Sequence, residues 1–368
     1  MSTRKDKFSK KDAQYMKLAL NLARARHGLT GENPSVGSVI VKNDEIISIG
    51  QTSYNGRPHS EFNAIKNCNE NLSGSTMYIT LEPCNHYGKT PPCTKEIIKN
   101  KISHVIYSIE DIDQKVKGKS FQILKSKNII VKKGLLSKDI KKFYIPYFFN
   151  RKKKLPYVTG KIAVSDNNLI YSEYTKRITN IHSDQFAHLL RYKNDSILIS
   201  YKTLNIDNPK LNCRIKGLNK FSPRRVVLDK NLKMKTNSFI FKTIKKKNTI
   251  IIYNYADKSK ISYFKKKGAH LIKLNLNKNN FFEFKLILKK LYALGCRNLL
   301  VEGGNVLSKD ILRNRLFNEF YLFKSQKKLS KLGLYKKFNF LRQLKTNYKM
   351  KSKINLKFGK DVISVFRK

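Results

Sequence analysis

The chain has 368 residues, 40% of them hydrophobic, and carries 77 Lys and Arg against 25 Asp and Glu, a net charge of +52. That length allows two domains with separate cores, and the apolar content excludes a disordered polyelectrolyte. No apolar run reaches membrane-spanning length and no signal-peptide core follows the lysine-rich start, so a cytoplasmic protein without a membrane partner is expected.

The basic residues are spread along the chain, with short runs at 151–154, 245–247 and 265–267 instead of one stripe. Abundant Asn, Ile, Phe and Tyr with no Trp fit a drift towards AT-rich codons, so a nucleic-acid partner is not the expectation. An anionic, phosphorylated small molecule would still be attracted.

A helix is predicted over 11–26, where Tyr15, Leu18, Ala19, Leu22 and Ala23 recur at helical spacing and Gly28 ends the run. Asn33-Pro-Ser-Val-Gly37 turns into a strand over 38–42, and Asn43-Asp44 returns the chain to a strand over 46–50. A helix over 59–67, a buried strand over 76–81, a helix over 93–100 and a strand over 103–109 follow. A helix near 121–125 and a strand over 129–132 complete a layered α/β domain, residues 1–146. Residues 144–155, with Pro146 and a basic run ahead of Pro156, read as a linker. The second domain, 156–368, has strands predicted at 157–164, 196–200, 225–229, 249–253, 270–274 and 298–302. Its helices are expected at 184–192, 261–267, 282–294 and 306–314, with 320–323 and 362–366 as edge strands.

The chemistry is concentrated in His59-Ser-Glu61, Glu82-Pro-Cys84 and Thr90-Pro-Pro-Cys93. One imidazole and two thiolates suit Zn2+ and leave a fourth position for water, as a catalytic site needs. A zinc that only staples a fold closes with four protein ligands, and His86 is the one nearby candidate for a fourth. Both cysteines are expected at helix starts, where backbone N–H groups favour the thiolate. Glu61, two residues beyond the histidine, can handle protons without ligating the metal, the division of labour of zinc deaminases. The other three cysteines, Cys68, Cys213 and Cys296, are expected as small buried hydrophobes.

His59-Ser-Glu61 with the run from Thr80 to Cys93, preceded by Asn33-Pro-Ser-Val-Gly37, resembles the deaminase motif of the RibD family of bifunctional riboflavin-biosynthesis enzymes. The resemblance covers nearly the whole chain. It implies a cytidine-deaminase-like three-layer domain followed by a dihydrofolate-reductase-like α/β domain. It also implies His59, Cys84 and Cys93 as zinc ligands, Glu61 as proton shuttle and Asn33 as a substrate contact. Residues 85–92 separate the two cysteines, where nucleic-acid deaminases have P-C-x-x-C. In this family that loop shapes a pocket for a phosphoribosylaminopyrimidine, and His86, Lys89 and Thr90 are either part of it or ordinary loop residues.

In the second half, Lys161-Ile-Ala163-Val-Ser165 resembles the family's K-x-A-x-S strand, and Arg191, Thr203, Asp207, Leu211 and Arg214 follow its R…T…D-x-P-x-L-x-x-R pattern. Glu302-Gly303-Gly304 ends a strand and opens a helix, where glycines let N–H groups approach phosphate, and no G-x-G-x-x-G is present. The resemblance implies NADPH bound by Ala163, Arg177, Thr203, Asp207, Gly303 and Gly304. It implies substrate held by Thr175, Arg191, Leu211, Arg214 and Glu302, with Arg191 and Arg214 on its phosphate, and a homodimer through this domain. The family's S-L-D-G turn reads Ser165-Asp-Asn-Asn168 here, its tryptophan is Arg177, Lys230 follows Asp229, and 325–330 lacks its Pro and Gly. Two readings follow: deamination then reduction in one chain, or deamination alone beside a degenerate reductase domain. A nucleic-acid deaminase is a further alternative.

Overall fold

The computed structural model describes residues 8–175, 177–245 and 248–368, so the run at 245–247 lies mostly outside the described residues. The chain divides into two compact units, Met1–Lys154 and Leu155–Lys368. Among the described residues no helix is long and apolar enough to cross a membrane.

The first unit runs α1 (Lys10–Ala25), β1 (Gly37–Lys42), β2 (Glu45–Gln51), α2 (Ser60–Lys66), β3 (Thr76–Leu81), α3 (Cys93–Lys99) and β4 (His104–Ile109). It closes with α4 (Lys119–Lys125), β5 (Ile130–Lys133), α5 (Ser137–Phe143) and α6 (Ile145–Lys153). The sheet order is β2-β1-β3-β4-β5, with β1 antiparallel to both neighbours and β3, β4 and β5 parallel. Successive residues Val39, Ile40 and Val41 on β1 are all buried, so both faces of the sheet are covered. Three layers follow from that pattern.

Two glycines let the helices press onto this sheet. A Cβ on Gly37 would lie 1.9 Å from the Ala19 carbonyl oxygen of α1, and one on Gly50 would lie 2.1 Å from the Ser60 carbonyl oxygen of α2. Both obstacles are backbone and cannot rotate away. Gly37→Ala should therefore cost about 2 kcal/mol by forcing α1 off β1. A thermal melt checks this, and an unchanged midpoint would show that the packing is looser than described.

The expected linker is mostly helix. Pro146 sits in the first turn of α6, where its missing N–H costs nothing, and Tyr144 and Asn150 are buried.

The second unit contains β6 (Tyr157–Val164), β7 (Leu169–Ser172), α7 (Ile181–Tyr192), β8 (Ser196–Ser200), α8 (Tyr201–Asp207) and β9 (Arg224–Leu228). Next come α9 (Phe239–Lys242), β10 (Thr249–Tyr253), α10 (Lys258–Lys266), β11 (His270–Lys273), α11 (Phe284–Ala293), β12 (Asn298–Glu302) and α12 (Asn305–Arg313). It ends with β13 (Glu319–Lys324), β14 (Tyr335–Lys337), α13 (Leu341–Asn347), β15 (Met350–Lys353) and β16 (Val362–Arg367). Nine strands form one sheet in the order β11-β10-β9-β8-β12-β6-β13-β16-β15, parallel from β11 to β13, while β7 and β14 pair separately. Two apolar clusters form its core, one around Val158, Leu299 and Phe320, the other around Ile197, Val227 and Ile251.

The tail departs from expectation. The strands at 320–323 and 362–366 are interior, because β15 adds beyond β16 and becomes the edge. All four residues of β15, Met-Lys-Ser-Lys, are exposed, so no burial pattern marked it in the sequence. The first helix of this unit begins at Ile181, ahead of the expected 184, because the Asn180 side chain caps the N–H groups of His182 and Ser183. Cys213 and Cys296 are fully buried as expected, whereas Cys68 is only half-buried.

Candidate functional site

His59 is the N-cap of α2, Cys93 is the first residue of α3, and Cys84 lies in the turn after β3. His59 Nδ1 stands 3.5 Å from Cys84 Sγ and 3.4 Å from Cys93 Sγ, and all three ligand atoms lie within 4.8 Å of one another. Tetrahedral zinc with ordinary Zn–N and Zn–S bonds places such atoms about 3.6 Å apart, so the donor set fits that ion. Among the described residues no other group of His, Cys, Asp or Glu meets this spacing, and His86 does not belong to it.

The expectation that Cys84 opens a helix is corrected. Its sulfur instead accepts the Cys93 backbone N–H at 3.3 Å, because the loop brings the start of α3 to it. The side-chain hydrogen bond between the two thiols chiefly, and His59 after it, pull the Cys84 thiol down, while the same thiol–thiol bond and burial push Cys93 up.

Glu61, on the first turn of α2, is 3% exposed, and that burial raises its carboxyl pKa against the opposing pull of His59. Ser60 Oγ donates to Glu61 Oε2 at 2.8 Å. Asn33 is joined to the segment leading into His59, its Nδ2 donating to the Gly56 carbonyl at 2.9 Å. In the loop over 85–92, Arg57 donates to Thr90 Oγ1. Asn85 Oδ1 and His86 Nδ1 are buried without a hydrogen-bond partner, a condition a bound polar molecule would relieve.

Sequence reading missed Glu82 as more than part of a motif. Its buried carboxylate accepts the backbone N–H groups of Asp111 at 3.2 Å, Gly118 at 3.1 Å and Ser120 at 3.3 Å. The Ser120 hydroxyl in turn donates to the Pro83 carbonyl at 2.5 Å, so the turn carrying Cys84 is anchored on two sides. Those donors lie 29 to 38 residues away in sequence, which no local pattern reveals.

In the second unit the carboxyl ends of the adjacent strands β6 and β12 bring together Lys161, Ala163, Glu302 and Gly303. Arg191 and Glu302 form a fork, Nε to Oε1 at 2.8 Å and Nη2 to Oε2 at 2.9 Å, with side chains 13% and 16% exposed. Burial alone would raise the Glu302 pKa, but the Arg191 guanidinium brings it down to about 2. Glu302 holds one edge of the Arg191 guanidinium, and Nη1 reaches the Asn212 carbonyl at 3.3 Å. Arg214 is exposed and beside it, linked by Nη1 to Asn212 Oδ1 at 3.2 Å. His188 lies between them; burial first, and the two arginines next, hold its pKa down to about 4, so the imidazole is neutral.

Lys161, the lysine of the K-x-A-x-S strand, lies over the Phe323 ring at 4.8 Å, and burial depresses its pKa against the pull of Glu302. Leu211 is buried at a positive φ of 54°, a backbone strain its neighbours must hold. Thr203 and Asp207 lie on α8, a helix not foreseen, whose start is capped by Ser200 and which follows β8, the other neighbour of β12. Thr175 lies in the turn after β7, and Arg177 pairs with Asp184 at 3.1 Å. Gly304 is the N-cap of α12 and supplies no side-chain cap, so the first N–H groups of that helix are left for a ligand or water.

Residues 9–109 match the family described as cytidine and deoxycytidylate deaminase zinc-binding region, and residues 156–326 match the RibD C-terminal domain. Riboflavin biosynthesis protein RibD of Aquifex aeolicus is 32% identical over 97% of this chain and 98% of its own length. RibD of Acinetobacter baumannii has the same fold, with a TM-score of 0.83 at 24% identity over 97% of this chain and 99% of that one. A diaminohydroxyphosphoribosylaminopyrimidine deaminase/5-amino-6-(5-phosphoribosylamino)uracil reductase of Thermotoga maritima superposes with a TM-score of 0.79 at 28% identity, covering 97% of this chain and 98% of that one. With the deaminase-like unit first and the dihydrofolate-reductase-like unit second, the chain belongs to the RibD family of riboflavin biosynthesis proteins.

Proposed function

We propose that this chain carries out two successive steps of riboflavin biosynthesis, as the name of its Thermotoga relative describes. The first unit hydrolyses the ring amine of a diaminohydroxyphosphoribosylaminopyrimidine and releases ammonia. The second reduces the resulting 5-amino-6-(5-phosphoribosylamino)uracil to its ribitylamino form. The observation that carries the reading is the His59, Cys84 and Cys93 cluster with a buried carboxylate two residues from its histidine.

His59, Cys84 and Cys93 would hold Zn2+, which when bound would supply a water activated for attack at neutral pH. Glu61 would carry one proton of the attacking water to the ring nitrogen and then the second, from the new hydroxyl, to the amine, which departs as ammonia. Its Oε2 is held by Ser60 at 2.8 Å. Asn33 and the loop over 85–92 orient the pyrimidine. NADPH, when bound, would supply hydride to the opened ribose in the second unit. Ala163, Arg177, Thr203, Asp207, Gly303 and Gly304 hold that cofactor, the glycines presenting the open end of α12 to phosphate. Arg214 binds the substrate phosphate, while Glu302 orients Arg191, and Thr175 and Leu211 complete the substrate side. The intact Arg191–Glu302 fork beside Lys161 favours an active reductase over a degenerate one. The enzyme works in the cytoplasm as a homodimer through its second unit, and no nucleic acid is needed.

The test uses purified full-length protein. Ammonia release from the diaminopyrimidine should stop on chelation, while NADPH oxidation with the deaminated intermediate continues. Ammonia release that survives stripping of the metal would refute the assignment of the first unit.

A further inference from the structure

The hydroxyl oxygens of Ser38 and Ser60 lie 2.7 Å apart, and Ser60 Oγ lies 2.8 Å from Glu61 Oε2. Both serines are 0% exposed. A serine has one hydroxyl proton. Once Ser60 gives it to the carboxylate, only Ser38 can be the donor between the two hydroxyls. The direction is therefore set, from Ser38 to Ser60 to Glu61.

Both hydroxyls sit on regular elements. Ser38 belongs to β1, paired on both sides by β2 and β3, while Ser60 opens α2, seated closely on Gly50 of β2. A buried carboxylate that must gain and lose a proton benefits from one fixed donor that never surrenders its own proton.

We propose that Ser38 and Ser60 are positioning residues for deamination, holding Glu61 Oε2 against the central sheet and so fixing the carboxylate for proton transfer. This rests on Glu61 being the proton carrier.

In the full-length, zinc-loaded protein, Ser60→Ala should lower kcat for ammonia release about tenfold, the usual worth of one hydrogen bond to a charged group, with KM nearly unchanged. Zinc content and thermal midpoint should match the parent, and Ser38→Ala should act in the same direction more weakly. In a Glu61→Gln background, Ser60→Ala should lower the residual rate no further, because its effect runs through the carboxylate. The proposal is overturned if Ser60→Ala leaves kcat intact, loses zinc, or repeats its tenfold loss in the Glu61→Gln background. Full activity of Glu61→Gln itself would overturn the underlying assignment instead, so the two failures are distinct.

Discussion

Glu61→Gln should lower ammonia release by about 10³-fold while zinc content and fold remain those of the parent. The substitution keeps the shape of the side chain and removes only its capacity to accept and return a proton. None of the three ligand atoms is touched. Because the side chain is buried, bulk water cannot readily replace it as base. NADPH oxidation with externally supplied deaminated intermediate should be unchanged, which provides an internal control on the same preparation. Metal analysis beside the two rates checks the result. A variant that releases ammonia at the parental rate would remove Glu61 from the chemistry.

Glu302→Ala should impair reduction and destabilise the second unit by about 3 kcal/mol, because it leaves the Arg191 guanidinium buried without its partner. The reductase rate should fall roughly 10²-fold as Arg191 loses its orientation, with ammonia release unaltered. Replacing both partners together, Arg191→Met with Glu302→Leu, should recover most of the stability and none of the NADPH oxidation. That split separates a functional pair from a merely structural one.

The same pair sets a pH dependence. The Glu302 carboxyl ionises at about 2 when folded, against an ordinary value of 4.5, so its contribution to stability is fully present above the ordinary value. It is lost as the pH falls through the folded value. Unfolding measured between pH 5 and pH 2 should show the parent losing this increment and the double variant lacking that slope.

The metal centre was legible because its parts are local. A histidine two residues from a carboxylate, and two Pro-Cys units flanking one loop, state their chemistry through residue type and spacing. Most strands were equally legible: those at 76–81, 157–164, 196–200, 249–253 and 298–302 coincide with the observed ones, since runs of β-branched and aromatic residues bury both faces. The linker was misread because a proline and a basic run suit a first helical turn as well as a loop, and only the burial of Tyr144 and Asn150 decides between them.

Residue identity alone determined which groups can ligate zinc, which carboxylate can shuttle a proton, and that two α/β units follow one another. Tertiary structure decided the company those groups keep. Arg191 meets Glu302 across 111 residues, Glu82 captures N–H groups up to 38 residues on, and Ser38 reaches Ser60 across 22. Each of these contacts depends on strand order and helix seating, which are set by burial summed over the whole sheet and leave no periodic trace in any short stretch of chain.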